Sequence, residues 1–247
     1  MMNIFMFKAI VILLIILTAL LGGYLAFKIK ESKKSALYFS LGNTFSAGIF
    51  LGAGLIHMLP DAAEGFASVT ASDFPFAAFV ASLGFLLILF IEKVLAGGNK
   101  DSSYVLIFIL SIHSIIVGIA LGTEELMRQS LIIAIAVLAH KGSAAFAMGV
   151  SMLKNKIAQN RIIKILVMFS FMTPIGIVTG MFIAHALSGK AATFSIAIFD
   201  ALAAGTFLYI AIMEILNEEF ENSKHTSLKL LFAASGLLLM ALLAVWL

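Results

Sequence analysis

HSIIVGIALGTEELMRQSLIIAIAVLAHKGSAAFAMG, residues 113–149, decides how the whole chain is read. Two apolar segments, HSIIVGIALG (113–122) and HKGSAAFAMG (140–149), each begin on a histidine, and a short polar turn joins them. Apart from the histidines, the only ionisable group in either segment is Lys141. Ionisable side chains are costly to hold against hydrocarbon, so these three groups are expected to face each other or a wet cavity near mid-membrane.

The composition sets the solvent. Of 247 residues, 62% are hydrophobic and 12% charged, with a mean hydropathy of +1.12, which places the chain among membrane proteins. A helix crossing a hydrocarbon core of about 30 Å needs about 20 apolar residues. Eight runs qualify: 9–27, 36–59, 74–91, 104–121, 131–153, 162–187, 191–216 and 228–247. The expected fold is an all-α membrane protein, a bundle of eight transmembrane helices forming one domain over 1–247. Short alternating segments of the outer-membrane strand type are missing. With no cysteine, disulfides and thiolate metal sites are excluded. The first run leads into a lysine-rich link without a small-residue cleavage site, so it reads as a retained helix.

Twelve of the sixteen Lys and Arg residues fall after the first, third, fifth and seventh runs; Lys8, Arg128 and Lys190 fall on the other side, and Lys141 is buried. Basic links stay in the cytoplasm, so both termini are expected outside. The net charge of +3 is therefore a topology signal and gives nucleic acid no support as a partner. The lipid bilayer is the expected partner.

The first helix carries nothing ionisable between Lys8 and Lys28 and reads as lipid-facing scaffold. The second helix places Asn43, Ala47, Phe50, Gly54, His57 and Asp61 on one stripe, which resembles a path lining. His57 is there either a ligand or an interfacial histidine, and Pro60-Asp61 is expected to end the helix. Asp61, Glu64 and Asp73 make the following loop acidic. Pro174 in the sixth helix bends it, for packing or for a pathway. In the seventh, Asp200 lies deep enough to need a partner, either Lys141 or ions in a path. Glu214, Glu218, Glu219 and Glu221 read as a solvated helix end, residues 97–103 as a short turn, and Trp246 as an interfacial anchor.

Neutral imidazole is the commonest ligand for zinc and related divalent ions, and oxygen donors complete a weaker, exchangeable site. His113 and His140, on successive helices, would supply its core, with Ser114 beside them. Two independently hydrogen-bonded core histidines are the alternative, and the cost of burying ionisable groups favours convergence on one ion.

These motifs resemble the Zrt/Irt-like (ZIP) divalent-metal transporter family. That family's fourth helix typically reads HSxxEGxAxG, against HSIIVGIALG here, and its fifth HKxxExxxxG, against HKGSAAFAMG. GNTFSAGIFLGAGLIHMLPDA (42–62), MTPIGIVTG (172–180) and DALAAGTFLYIAIMEIL (200–216) are similar to the animal-type branch. The resemblance implies eight helices with both ends outside, and movement of zinc or a similar divalent ion into the cytoplasm through a site between the fourth and fifth helices. It also implies a plasma or bacterial inner membrane, a homodimer, and transport helices that slide against a scaffold. The metal is the transported substrate; no cofactor is implied.

Residue by residue, His113 and His140 match the family's histidine ligands, and Ser114 and Lys141 the positions beside them. Val117 and Ala144 stand where the family carries acids, and Thr173 precedes the proline. A reduced single-metal site follows, with Lys141 where a second metal would sit and with Asn43, His57, Asp61 and Asp200 as the remaining pathway donors. Two other functions stay open on the residues. One is a regulatory or partner subunit with a degenerate site. The other is an intramembrane zinc hydrolase built on His57, His113 and His140, which would need three histidines and an acid to activate water.

Overall fold

A computed structural model describes residues 3–95, 102–186, 189–221 and 224–246. Eight helices are long and apolar enough to span a bilayer: α1 (Ile4–Lys30), α2 (Ser35–Val69), α3 (Phe76–Val94), α4 (Ser103–Thr123), α5 (Met127–Lys154), α6 (Gln159–Ala184), α7 (Lys190–Glu221) and α8 (Thr226–Val245). Among the described residues there is no strand. Eight alternating crossings return both chain ends to one face, here the terminal face; the lysine-rich links lie on the far face. Most of the 97–103 turn and the side chain of Trp246 lie outside the described residues.

The helices sort into two halves. One holds α1, α4, α5 and α6, the other α2, α3, α7 and α8; they meet along a seam where α2 lies against α5 and α4 against α7. The first helix, expected as lipid-facing scaffold, belongs to the histidine-bearing half. It buries Phe7, Val11, Ile15 and Ala19, and Gly22 touches the backbone of Gly142 on α5. Lys8 is buried too and donates to the carbonyl of Gly122, 2.7 Å away, capping the end of α4.

Lipid offers no hydrophobic drive for helix association, so close backbone packing supplies it. Gly118 and Gly122 on α4 cross Gly176 and Gly180 on α6 face to face, and a Cβ at any of the four would overlap a backbone carbonyl of the opposite helix. Gly118→Val is expected to cost about 1–3 kcal/mol. The check is the unfolding temperature of the purified protein in detergent, and an unchanged value would mean that α4 and α6 are not packed this way.

Pro60 does not end the second helix, which continues to Val69. Over Ala53–Met58 the turns widen, so that the N–H of Leu59 bonds the carbonyl of Gly54, five residues back. Proline lacks an N–H and collides with the carbonyl four residues before it in a regular helix; a widened turn just ahead of Pro60 relieves both faults. A matching wide segment, Ile210–Leu216, interrupts α7, with the N–H of Asn217 on the carbonyl of Ile212. Such segments recur at functional sites, and both lie on helices that line the seam.

Candidate metal pathway

The two histidines of the opening stretch meet at the seam. His113 on α4 and His140 on α5 are each at most 3% exposed, with ring centres 5.7 Å apart and planes inclined by 70°. A tetrahedral ion about 2.0–2.1 Å from one nitrogen of each ring would hold the ring centres roughly 5 Å apart. The observed separation is thus within about 1 Å of the one a shared ion requires. Nε2 of His113 and Nδ1 of His140 are buried with no hydrogen-bond partner, and an orphaned buried polar atom is costly unless something else occupies it in use. His113 Nδ1 lies 3.4 Å from the hydroxyl of Thr206.

Phe207 on α7 packs against both imidazoles. Its ring centre is 3.6 Å from that of His113 and 5.1 Å from that of His140, and its other neighbour is Phe50 on α2, stacked at 4.9 Å. Phe50 and Phe207 are fully buried. An apolar plug therefore crosses the seam at the level of the histidines, and an ion shared by the two rings requires Phe207 to shift.

Toward the terminal face lies a cavity of about 60 Å³ whose wall includes His57, Asp61, Val117, Glu124, His140 and Asp200. His57 Nδ1 is 3.1 Å from Asp61, which is half exposed, while Asp200 is partly buried. The predicted pathway residues His57, Asp61 and Asp200 thus share one chamber with His140. Among the described residues no three His, Asp or Glu side chains stand close enough to hold a metal together, so the chamber gathers ligands without closing a site.

Lys141 takes a different course from the pairing considered for Asp200. Its ammonium donates to Ser114 Oγ at 3.0 Å, Thr173 Oγ1 at 3.0 Å and the carbonyl of Phe169 at 3.3 Å, and it sits 3.7 Å over the Phe169 ring. Among the described residues no ion pair joins it to Asp200. Ser114, expected as a metal donor, is therefore engaged by Lys141, and Thr173, just before Pro174, completes the shell. Hydroxyls, a carbonyl and an aromatic face replace an anion as the lysine's company.

Asn43 lies 14 positions before His57, roughly 21 Å along the helix, and takes no part in the chamber. Its amide donates to Glu219 at 2.8 Å. The same Glu219 oxygen accepts from Lys154 at 2.7 Å, and Lys154 also reaches Glu218 at 3.0 Å. Glu218 and Glu221 are exposed, as expected of a solvated helix end, but Glu219 is only 5% exposed and forms a polar closure linking α2, α5 and α7 on the far side of the plug. Sequence reasoning missed Thr206, Lys154 and Glu219. The signal was Asn43, a solitary amide in an apolar run that had to find a partner.

A family model described as ZIP zinc transporter matches residues 5–101 and 96–244. The zinc transporter ZIP2 of Mus musculus is 28% identical over 263 residues, covering 84% of this chain and 85% of that protein. The zinc transporter ZIP3 of Homo sapiens is 28% identical over 289 residues, with 90% and 92% covered, and the human zinc transporter ZIP1 is 26% identical over 256, with 85% and 78%.

Proposed function

Because this chain belongs to the ZIP zinc transporter family, a family of membrane transporters and not of enzymes, we propose that it carries zinc or a similar divalent ion toward the cytoplasm through a site between α4 and α5, where they face the seam. The intramembrane hydrolase alternative falls with that membership. The observation that carries the reading is the facing pair of buried imidazoles, each with an unpartnered nitrogen, beside an acidic chamber. Asp61, His57 and Asp200 collect the ion at the chamber mouth, His140 and His113 take it at the centre, and the ion leaves past Asn43. Lys141, held by Ser114 and Thr173, occupies the place of a second metal, so one ion moves at a time.

The reading includes a plasma or bacterial inner membrane setting, one transport domain over residues 1–247, and a homodimer, as the family resemblance implies. The two-half packing suits a mechanism in which one half slides past the other, since the contacts across the seam are fewer than those inside each half. The test is accumulation of radioactive zinc by cells expressing the chain, together with uptake into vesicles loaded with a zinc-sensitive dye. Saturable accumulation above empty controls is expected. Loss of zinc from the cells would reverse the direction, and vesicles indistinguishable from empty ones would remove the transport reading.

A second reading rests on Val117 and Ala144, both buried and aliphatic. With no carboxylate at either position, the chain could serve as a regulatory or partner subunit that keeps the fold and has lost ordinary transport. Robust uptake by the unaltered chain ends that reading.

A further inference from the structure

On the far face, where α2, α5 and α7 meet the start of α8, the chain encloses a basin of about 490 Å³ that shares nothing with the histidine chamber. Lys34, Ser40, Lys154, Lys224, His225 and Lys229 contribute to its wall, against two carboxylates, Glu218 and Glu219. Those carboxylates are already engaged. Lys154 contacts both, Asn43 donates to Glu219, and the ammonium of Lys229 holds the main-chain carbonyl of Glu219. Four lysines and a histidine share the wall with two carboxylates, and Lys34, Lys224 and His225 are exposed at the rim.

Two further features add to the basic character of the basin. Helix α8 begins at the basin, so its first N–H groups add their partial positive charge there. His225 adopts φ 58°, a left-handed conformation uncommon for a residue with a side chain; it turns the chain into α8 with the imidazole on the basin wall. The basin also has an apolar lip, Ala36 and Leu37 at the start of α2. It sits at the ends of four membrane-spanning helices, the depth at which lipid headgroups lie, and basic pockets between helices at that depth suit anionic headgroups.

We propose that this basin binds a phosphate-bearing lipid headgroup, with Lys34, Lys224 and His225 contacting the phosphate and Ala36 and Leu37 lying against the root of the acyl chains. The proposal is independent of which ion the seam carries. Because Lys154 belongs both to the basin and to the closure with Glu219, a bound headgroup touches the same side chain that ties α5 to α7.

The test uses the full chain in an uncharged detergent and follows its unfolding temperature with dioctanoyl phosphatidic acid, dioctanoyl phosphatidylcholine and inorganic phosphate. A ligand that binds only the folded state raises that temperature with the logarithm of its free concentration over its dissociation constant. Phosphatidic acid is expected to raise it steadily with the logarithm of concentration and phosphatidylcholine not at all. The triple variant Lys34→Gln, Lys224→Gln, His225→Gln, altered only at exposed positions, is expected to match the parent without lipid and to bind phosphatidic acid about tenfold more weakly, the loss of one strong contact. If the triple variant proves unstable, Lys34→Gln alone carries the comparison. No rise with phosphatidic acid, or an equal rise in the variant, overturns the proposal. Inorganic phosphate matching the lipid assigns the basin to a soluble anion and overturns the lipid source.

Discussion

Replacing His113 and His140 together by alanine is expected to reduce metal-dependent vesicle uptake to the level of empty vesicles while leaving the eight-helix bundle folded. The two imidazoles flank the plug, and Val117 and Ala144, each one turn after a histidine, are aliphatic and supply no carboxylate beside them. Losing two nitrogen ligands removes most of the attraction a dehydrated ion finds there, and each 1.4 kcal/mol lost weakens binding about tenfold. The rings hold the helices together only weakly: the Thr206 hydroxyl donates to the carbonyl of Ala203, so His113 Nδ1–H donates to Thr206 Oγ1, and that contact is long at 3.4 Å. Unfolding temperature measured beside uptake separates loss of transport from loss of fold. Uptake unchanged in the double variant would end the imidazole-centred reading.

The opposite change is Val117→Glu. Val117 is 4% exposed and lines the chamber beside His140, and it stands one helical turn beyond His113 on α4. A carboxylate there would add an anionic ligand on α4 itself, one turn from His113, in a setting where water screens charge poorly. Zinc affinity measured by calorimetry on purified protein is expected to rise by at least about tenfold, the worth of one charge-assisted ligand. Lys141, on α5 beside His140, repels the metal less once the new carboxylate partly offsets its charge. If affinity stays unchanged or falls, the chamber is not where the ion binds. If the parent is inert and Val117→Glu transports, the subunit reading gains and the carrier reading of the parent is lost.

Much of this architecture is legible in residue order because lipid is a strict solvent. A backbone that can find no water must be helical for about 20 residues at a time, which locates the eight spans, and the cost of buried imidazole singles out His113 and His140. The failures share one cause, which is that partners across the seam leave no local trace. Pro60 reads as a stop until the widened turn at Ala53–Met58 is seen. Glu219 reads as a wet helix end because the amide that claims it lies 176 positions earlier. Asp200 reads as a partner for Lys141 or for ions in a path, yet two hydroxyls and a carbonyl on neighbouring helices satisfy the lysine. The glycines of α4 and α6 announce close packing, but not that they pack on one another.

The Phe50–Phe207 stack has a kinetic consequence. A channel conducts through an unbroken file of water, and two stacked, fully buried rings between the chamber and the far-side closure interrupt any such file. Passage must wait for the barrier to part, and collective helix motions take microseconds to milliseconds. Flux through this protein should therefore plateau at carrier-like turnover, and protons should gain no free leak alongside the metal.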